Sequence, residues 1–212
     1  MKRLMVWSLV LGLAPAVGVG SRIVDEVVAV VGETPLLRSD IELATAVGLI
    51  APRPDETSDE LRRRTVEARV RLEVQYRDLE ASGILYRLRP DLGTIRQTFI
   101  DRLGGAERLA AVLDATGMAA ADLDDLALRV AAVDAYVEER LRPRVSVTRD
   151  ELEREYRETV VAEMERRGEP APPLVELRDQ LRQLVVERKL NDEIERWLAQ
   201  ARERLDVTVF AP

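Results

Sequence analysis

The chain of 212 residues contains neither cysteine nor histidine. Without them there is no Ser-His-Asp or Cys-His catalysis, no thiolate redox chemistry, no disulfide and no usual zinc site. Lysine is nearly missing too, since Lys189 is the only one after Lys2. A Ser-Lys dyad would need Lys189, but it lies in a predicted helix beside Glu187 and Asp192, with no serine motif to serve. Positive charge is also short. Lysine and arginine total 32 against 39 acidic residues, a net charge of -7. Setting aside Lys2 and Arg3 leaves 30 against 39, or -9. That balance argues against a nucleic-acid binder and favours solubility.

The N-terminus has the layout of a secretory signal peptide over residues 1–21. Lys2 and Arg3 form a basic start, Leu4 to Leu13 is almost wholly apolar, and Ala14-Pro15-Ala16 or Gly18-Val19-Gly20 offers a cleavage site. The alternative is a retained anchor. Against it, Gly12, Pro15, Gly18 and Gly20 interrupt a run already short for a bilayer span of about 20 apolar residues. No cysteine follows that could carry a lipid. An exported protein without disulfides must rely on packing, and the ~190 residues that remain are enough to bury a core.

The pattern beyond the leader is helical between two strands. The apolar run Val27–Val31 leads through Gly32-Glu33-Thr34-Pro35 to Ser39-Asp40-Ile41-Glu42, where Ser39 and Glu42 have capping-box spacing. That helix should end near Gly48. A long helix is expected from about Asp59 to Ser82, with Leu61, Thr65, Ala68, Leu72, Tyr76 and Leu79 on one face and Val66, Val70 and Val74 opposite. Such a helix is sandwiched between neighbours. Glu67/Arg71 and Glu73/Arg77 are i,i+4 pairs on its flanks, each worth a few tenths of a kcal/mol. Arg62-Arg63-Arg64, beside Glu60 and Glu67, reads as a solvated face.

Leu92, Ile95, Phe99 and Leu103 make a further stripe, ended by Gly104-Gly105, and a brief helix stops at Gly117. Another long helix spans about Ala121 to Leu141, where Asp122, Asp124 and Asp125 complement its dipole rather than suggest a metal site. Thr148 and Glu151 form a second capping box. A linker or tight turn follows at 166–173, rich in proline and glycine. The last helix, about Leu174 to Leu205, carries two stripes. Leu177, Leu181, Leu184 and Val185 lie on one face, and Leu190, Ile194, Trp197, Ala201 and Leu205 on another. Either its halves pack on different helices, or part of one stripe, including Trp197, stays exposed for a partner. Val207-Thr208-Val209-Phe210 closes the chain as a second strand pattern. The carboxylates are plentiful, but no spacing places two across a cleft for glycosidase chemistry.

Three segments together resemble the SurA family of periplasmic chaperones. They are Ile23 to Glu33 with Leu36 to Glu42, then Val145 to Leu152 with Tyr156, and Leu177 to Leu198 with Val207-Thr208-Val209. They cover most of residues 22–212 in the family's order. The resemblance implies a mainly α, multi-helix chaperone core with paired N- and C-terminal strands, made of residues 22–165 and 174–212. It also implies a periplasmic location. Many relatives carry parvulin-type prolyl isomerase domains where this chain has only the link 166–173, so the expectation is the non-catalytic core without cofactor or metal. The implied function is an ATP-independent holdase for unfolded exported or outer-membrane proteins, with Leu190, Ile194 and Trp197 as candidate client contacts against a core role for each. A module serving one dedicated envelope partner is the alternative, and a prolyl isomerase the reading least served by the residues. An apolar groove would favour the holdase; a flat, well-packed surface would favour the dedicated module.

Overall fold

The computed structural model describes residues 25–210, so the leader expected at 1–21 lies outside the described residues. Strand β1 (Val27–Val31) turns through Gly32-Glu33 into β2 (Thr34–Leu37) and directly into helix α1 (Arg38–Ala46). Gly32 supplies the positive φ, +59°, that a two-residue hairpin turn requires. The sequence pattern does not announce this hairpin, because Pro35 disfavours a strand interior. It is tolerated because β2 is an edge strand.

The hairpin also moves the start of α1. Arg38 N–H still donates to the Glu26 carbonyl (2.8 Å), so the chain is held to β1 until the residue where the helix begins. The expected Ser39/Glu42 box therefore does not form. Asp40 instead accepts from the Leu37 N–H (2.7 Å), while the Ser39 hydroxyl donates to Asp25. The second box forms as expected: Glu151 N–H donates to the Thr148 hydroxyl (3.3 Å), and Glu151 accepts from Thr148 N–H (2.8 Å).

Helix α2 (Ser58–Ala81) is followed by α3 (Leu92–Leu103), α4 (Ala106–Thr116) and α5 (Ala120–Tyr136). A π turn (Val137–Leu141) and a 3-10 turn (Arg142–Arg144) with Pro143 lead on to α6 (Arg149–Glu155). A second π turn (Tyr156–Val161) continues α6 into α7 (Ala162–Arg167), and α8 (Leu174–Arg204) and β3 (Val207–Val209) complete the chain. Among the described residues the fold is mainly α, 72% helical, with one small antiparallel sheet in the order β2-β1-β3. The first and last strands pair, Ala29 opposite Val209 and Val31 opposite Val207.

Two apolar clusters share α2 as a wall. Leu72 and Leu79 join Phe99, Leu103, Leu123, Leu126, Leu190 and Trp197 in the larger one. Val66, Val70 and Val74 join Val28, Ala29, Val31, Leu36 and Ile41 in the smaller one, under the sheet. This is the two-sided burial that its valine and leucine faces call for. Between the faces sits a charge. Glu73, fully buried, accepts from Arg77 Nε (2.9 Å) and from Arg129 Nε of α5 (2.7 Å), with Arg69 Nη1 at 3.7 Å. Glu73 is thus not a flank residue with one weak helical pair. Arg129 also bonds Asp125 and lies over the Tyr76 ring, 4.9 Å from its centre. Burial opposes the Arg129 charge, but the bonds from Asp125 and Glu73 leave its pKa raised. Among the described residues Arg69 has no second acidic partner in contact, and burial lowers its pKa.

Helix α8 divides as one of the two sequence readings expects. Leu181 and Val185 are buried beside α6 and Leu152, outside both clusters, whereas Leu190 onward packs on the body. Over 31 residues the helix is about 46 Å long. Its first half and α6–α7 form an arm, fastened by Arg188 to the buried Glu155, by the Tyr156 hydroxyl donating to the Pro172 carbonyl (2.7 Å), and by Lys189.

Truncating Glu73 to Ala leaves two buried guanidinium groups without their shared anion. Urea denaturation should show about 3–5 kcal/mol of lost stability, and Arg129→Met in the same chain should restore part of it. A loss under about 1 kcal/mol would mean that the network contributes as little as a surface pair.

Candidate functional site

An apolar recess lies between β1, α1 and the first turns of α2. Val28, Ile41 and Val66 form its floor, and the cleft holds about 300 Å³. Arg38, Glu42, Thr45 and Ala46 share one face of α1 by helical spacing, while Ser58, Arg62 and Val66 line it from α2. The whole length of α1, from Arg38 to Ala46, thus lines the cleft together with the first turns of α2. The rim is charged but balanced. Glu26 and Glu42 face Arg38 and Arg62, and the Glu26 hydrogen bond and charge push the Arg38 pKa upward. A balanced rim around an aliphatic floor suits uncharged apolar groups.

Val28, on the cleft floor, is also the link to the other edge of the sheet. Phe210 N–H donates to the Val28 carbonyl (2.9 Å), which extends the β1–β3 register by one residue and sets Phe210 opposite Val28. Paired residues of an antiparallel ladder point to the same face, so Phe210, 46% exposed, stands on the side of the sheet that carries Val28. Val27 and Val209 are exposed at the same end of the sheet.

A second recess, about 710 Å³, is of another kind. Asp25, Asp40, Glu42, Asp114 and Asp122 line it between the start of α1 and the end of α4. Asp122 accepts from Ala119 N–H (2.7 Å) as part of the α5 cap, and burial pushes the Asp40 pKa upward. No group of three or more acidic side chains among the described residues is placed to hold a metal ion. Asp124 and Asp125 pair with Arg96 (2.6 Å) and Arg129. Lys189 meets the Ser146 carbonyl (2.6 Å), not a serine hydroxyl, and Glu151 (2.7 Å). That contact, with the Thr148 backbone, pulls the Glu151 pKa down to about 2.

The residues singled out as client contacts lie elsewhere. Leu190 and Trp197 are buried in the larger cluster, with Ile194 half-buried against it. The Trp197 indole N–H donates to Asp78 (2.8 Å), and its ring meets Tyr136 at 4.5 Å between centres. Leu190 and Trp197 are covered by α2 and the end of α5. What α8 does expose is in the arm, at Val175 (76%) and Leu184 (52%). The cleft residues are visible in the sequence only as core: Val28 as strand, Val66 as the back of α2. The missing signal is tertiary: the cleft exists only where β1, α1 and the start of α2 meet, and no local spacing marks that meeting.

No family model matches the chain, and no curated protein matches it in sequence. The family likeness therefore rests on the motifs themselves.

Two outcomes are expected. Trp197→Ala should cost about 3–5 kcal/mol in urea, as a large-to-small core change does. In Lys189→Met, the Glu151 carboxyl, followed by NMR, should titrate well above its depressed value, toward about 4.3. Since the folded pKa is lowered, Glu151 contributes to stability above the unfolded value, and that contribution fades as pH falls toward 2. The variant should lose the part of this acid-range slope that Lys189 supplies, since the Thr148 bonds to Glu151 remain.

Proposed function

We propose that the protein is an ATP-independent, non-catalytic holdase that binds apolar segments of unfolded exported or outer-membrane polypeptides in the periplasm. The observation that carries the reading is the aliphatic cleft of Val28, Ile41 and Val66, open at the surface beside an exposed Phe210. A groove of that kind is what separates a general chaperone from a flat, dedicated module. Its size suits one or two aliphatic side chains at a time, so each contact is weak and release needs no energy source. The SurA resemblance supports the same reading, as does a fold in which the first and last strands meet. Helix α7 passes to α8 through Gly168–Pro173 alone, which argues against an inserted isomerase domain. Binding to the unfolded state of a client delays its aggregation by mass action.

A dedicated-partner module is the second reading. Val175 and Leu184, exposed on the arm away from the cleft, favour it.

Light scattering of a denatured model protein, diluted with and without the chain, tests the choice. Suppression near equimolar ratio is expected. Ala46→Phe, a change at an exposed cleft-lining position, should fill the cleft and weaken suppression while leaving the melting temperature within about 2 °C. No suppression by a folded sample would reject the holdase and turn the search to co-purifying partners.

A further inference from the structure

One edge of the sheet is closed and the other is open. At the β2 edge, the two-residue turn makes Val31 and Thr34 the closing hydrogen-bonded pair, so residue 35 faces its backbone outward. That residue is proline, which offers no donor there. At the β3 edge the ladder is fixed by two bonds, Gly32 N–H to the Asp206 carbonyl (2.7 Å) and Phe210 N–H to the Val28 carbonyl (2.9 Å). Asp206, Thr208 and Phe210 therefore turn their backbone groups toward β1, while Val207 and Val209 turn theirs away from it. Among the described residues, nothing hydrogen-bonds to those outward groups. Of the usual protections of an edge, β3 has only its shortness, three residues. Val207 to Phe210 carries no charge, proline or bulge, and Val209 is 54% exposed.

We propose that β3 accepts an extended polypeptide segment as a fourth strand, with apolar side chains at alternate positions. The inference rests on the holdase reading and names how a client segment is held. Backbone bonds to Val207 and Val209 would fix the segment without regard to its sequence. Phe210 and the cleft would select for apolar side chains, because a strand laid beside β3 projects every second residue to the face that carries Val28 and Phe210. A second copy of the chain is a poorer occupant. Two outward residues per edge bury far less than the roughly 1,200 Å² of a stable interface. The same brevity suits capture that must be reversible.

The probe is a fluorescein-labelled peptide of alternating valine and threonine with a lysine at each end, followed by anisotropy against the full chain. Saturable binding is expected. Val209→Pro removes one outward donor and no bond to β1, so it should weaken binding about fivefold or more without changing the melting temperature. N-methylation of alternate peptide amides should weaken binding similarly. Val209→Thr keeps the donor and should stay within about twofold of the parent. Equal binding by Val209→Pro and the parent overturns the proposal. So does a doubling of mass in sedimentation that Val209→Pro abolishes, since the edge would then pair with its own copy. If the chain suppresses aggregation but binds no peptide, the strand edge is wrong and the holdase reading stands. If it does neither, both fall.

Discussion

A carboxylate without access to water holds the body of this protein in register. Glu73 lies on α2 between two apolar faces, and its charge is tolerable only because Arg77 and Arg129 reach it and Arg69 stands near. Burying an ion costs several kcal/mol, which is returned only when its partners are held at hydrogen-bond distance. Arg129 comes from α5, which packs in turn on α3. Sliding α2 by one turn would strand both charges. The apolar faces set how much is buried, whereas Glu73 sets which residue meets which.

With α2 fixed, the rest of the arrangement follows. Its leucine side takes up α3, α5 and the second half of α8, and its valine side takes up the sheet. Trp197 and Leu198, adjacent on α8, go to opposite clusters, so the last helix straddles the same wall. That placement delivers β3 to β1 and brings the two ends of the described chain together. It also consumes the apolar surface of α8 in the body. Apolar surface stays uncovered in the cleft between β1, α1 and α2, at the open edge of the sheet, along the arm and at Tyr86.

Much of the fold is legible in the sequence, since it depends on local periodicity and stop signals. The two-sided pattern of α2, the breaks at Gly104, Gly117 and Gly168 and the Thr148/Glu151 box all correspond to observed features. The hairpin after β1 is not, because Pro35 argues against a strand unless its edge position is known. The role of Glu73 is hidden for a similar reason: its partner Arg129 is 56 residues away, and i,i+4 spacing to Arg77 gives a sufficient local account. The candidate site suffers most. An amphipathic stripe such as Leu190, Ile194 and Trp197 looks the same whether it faces a client or α2, and only the packing of distant elements separates the two.

The second half of α8 is thus a closed seam, whereas the cleft and the β3 edge stay open. Hydrogen exchange of the chain with and without a bound unfolded protein tests that division most directly. The prediction is slowed exchange at β3 and around Ala46 and Ser58 on loading, with residues 190–201 unchanged. Altered exchange at 190–201, with none at the sheet edge or cleft, would show that the α8 seam opens to receive the client and would contradict the division.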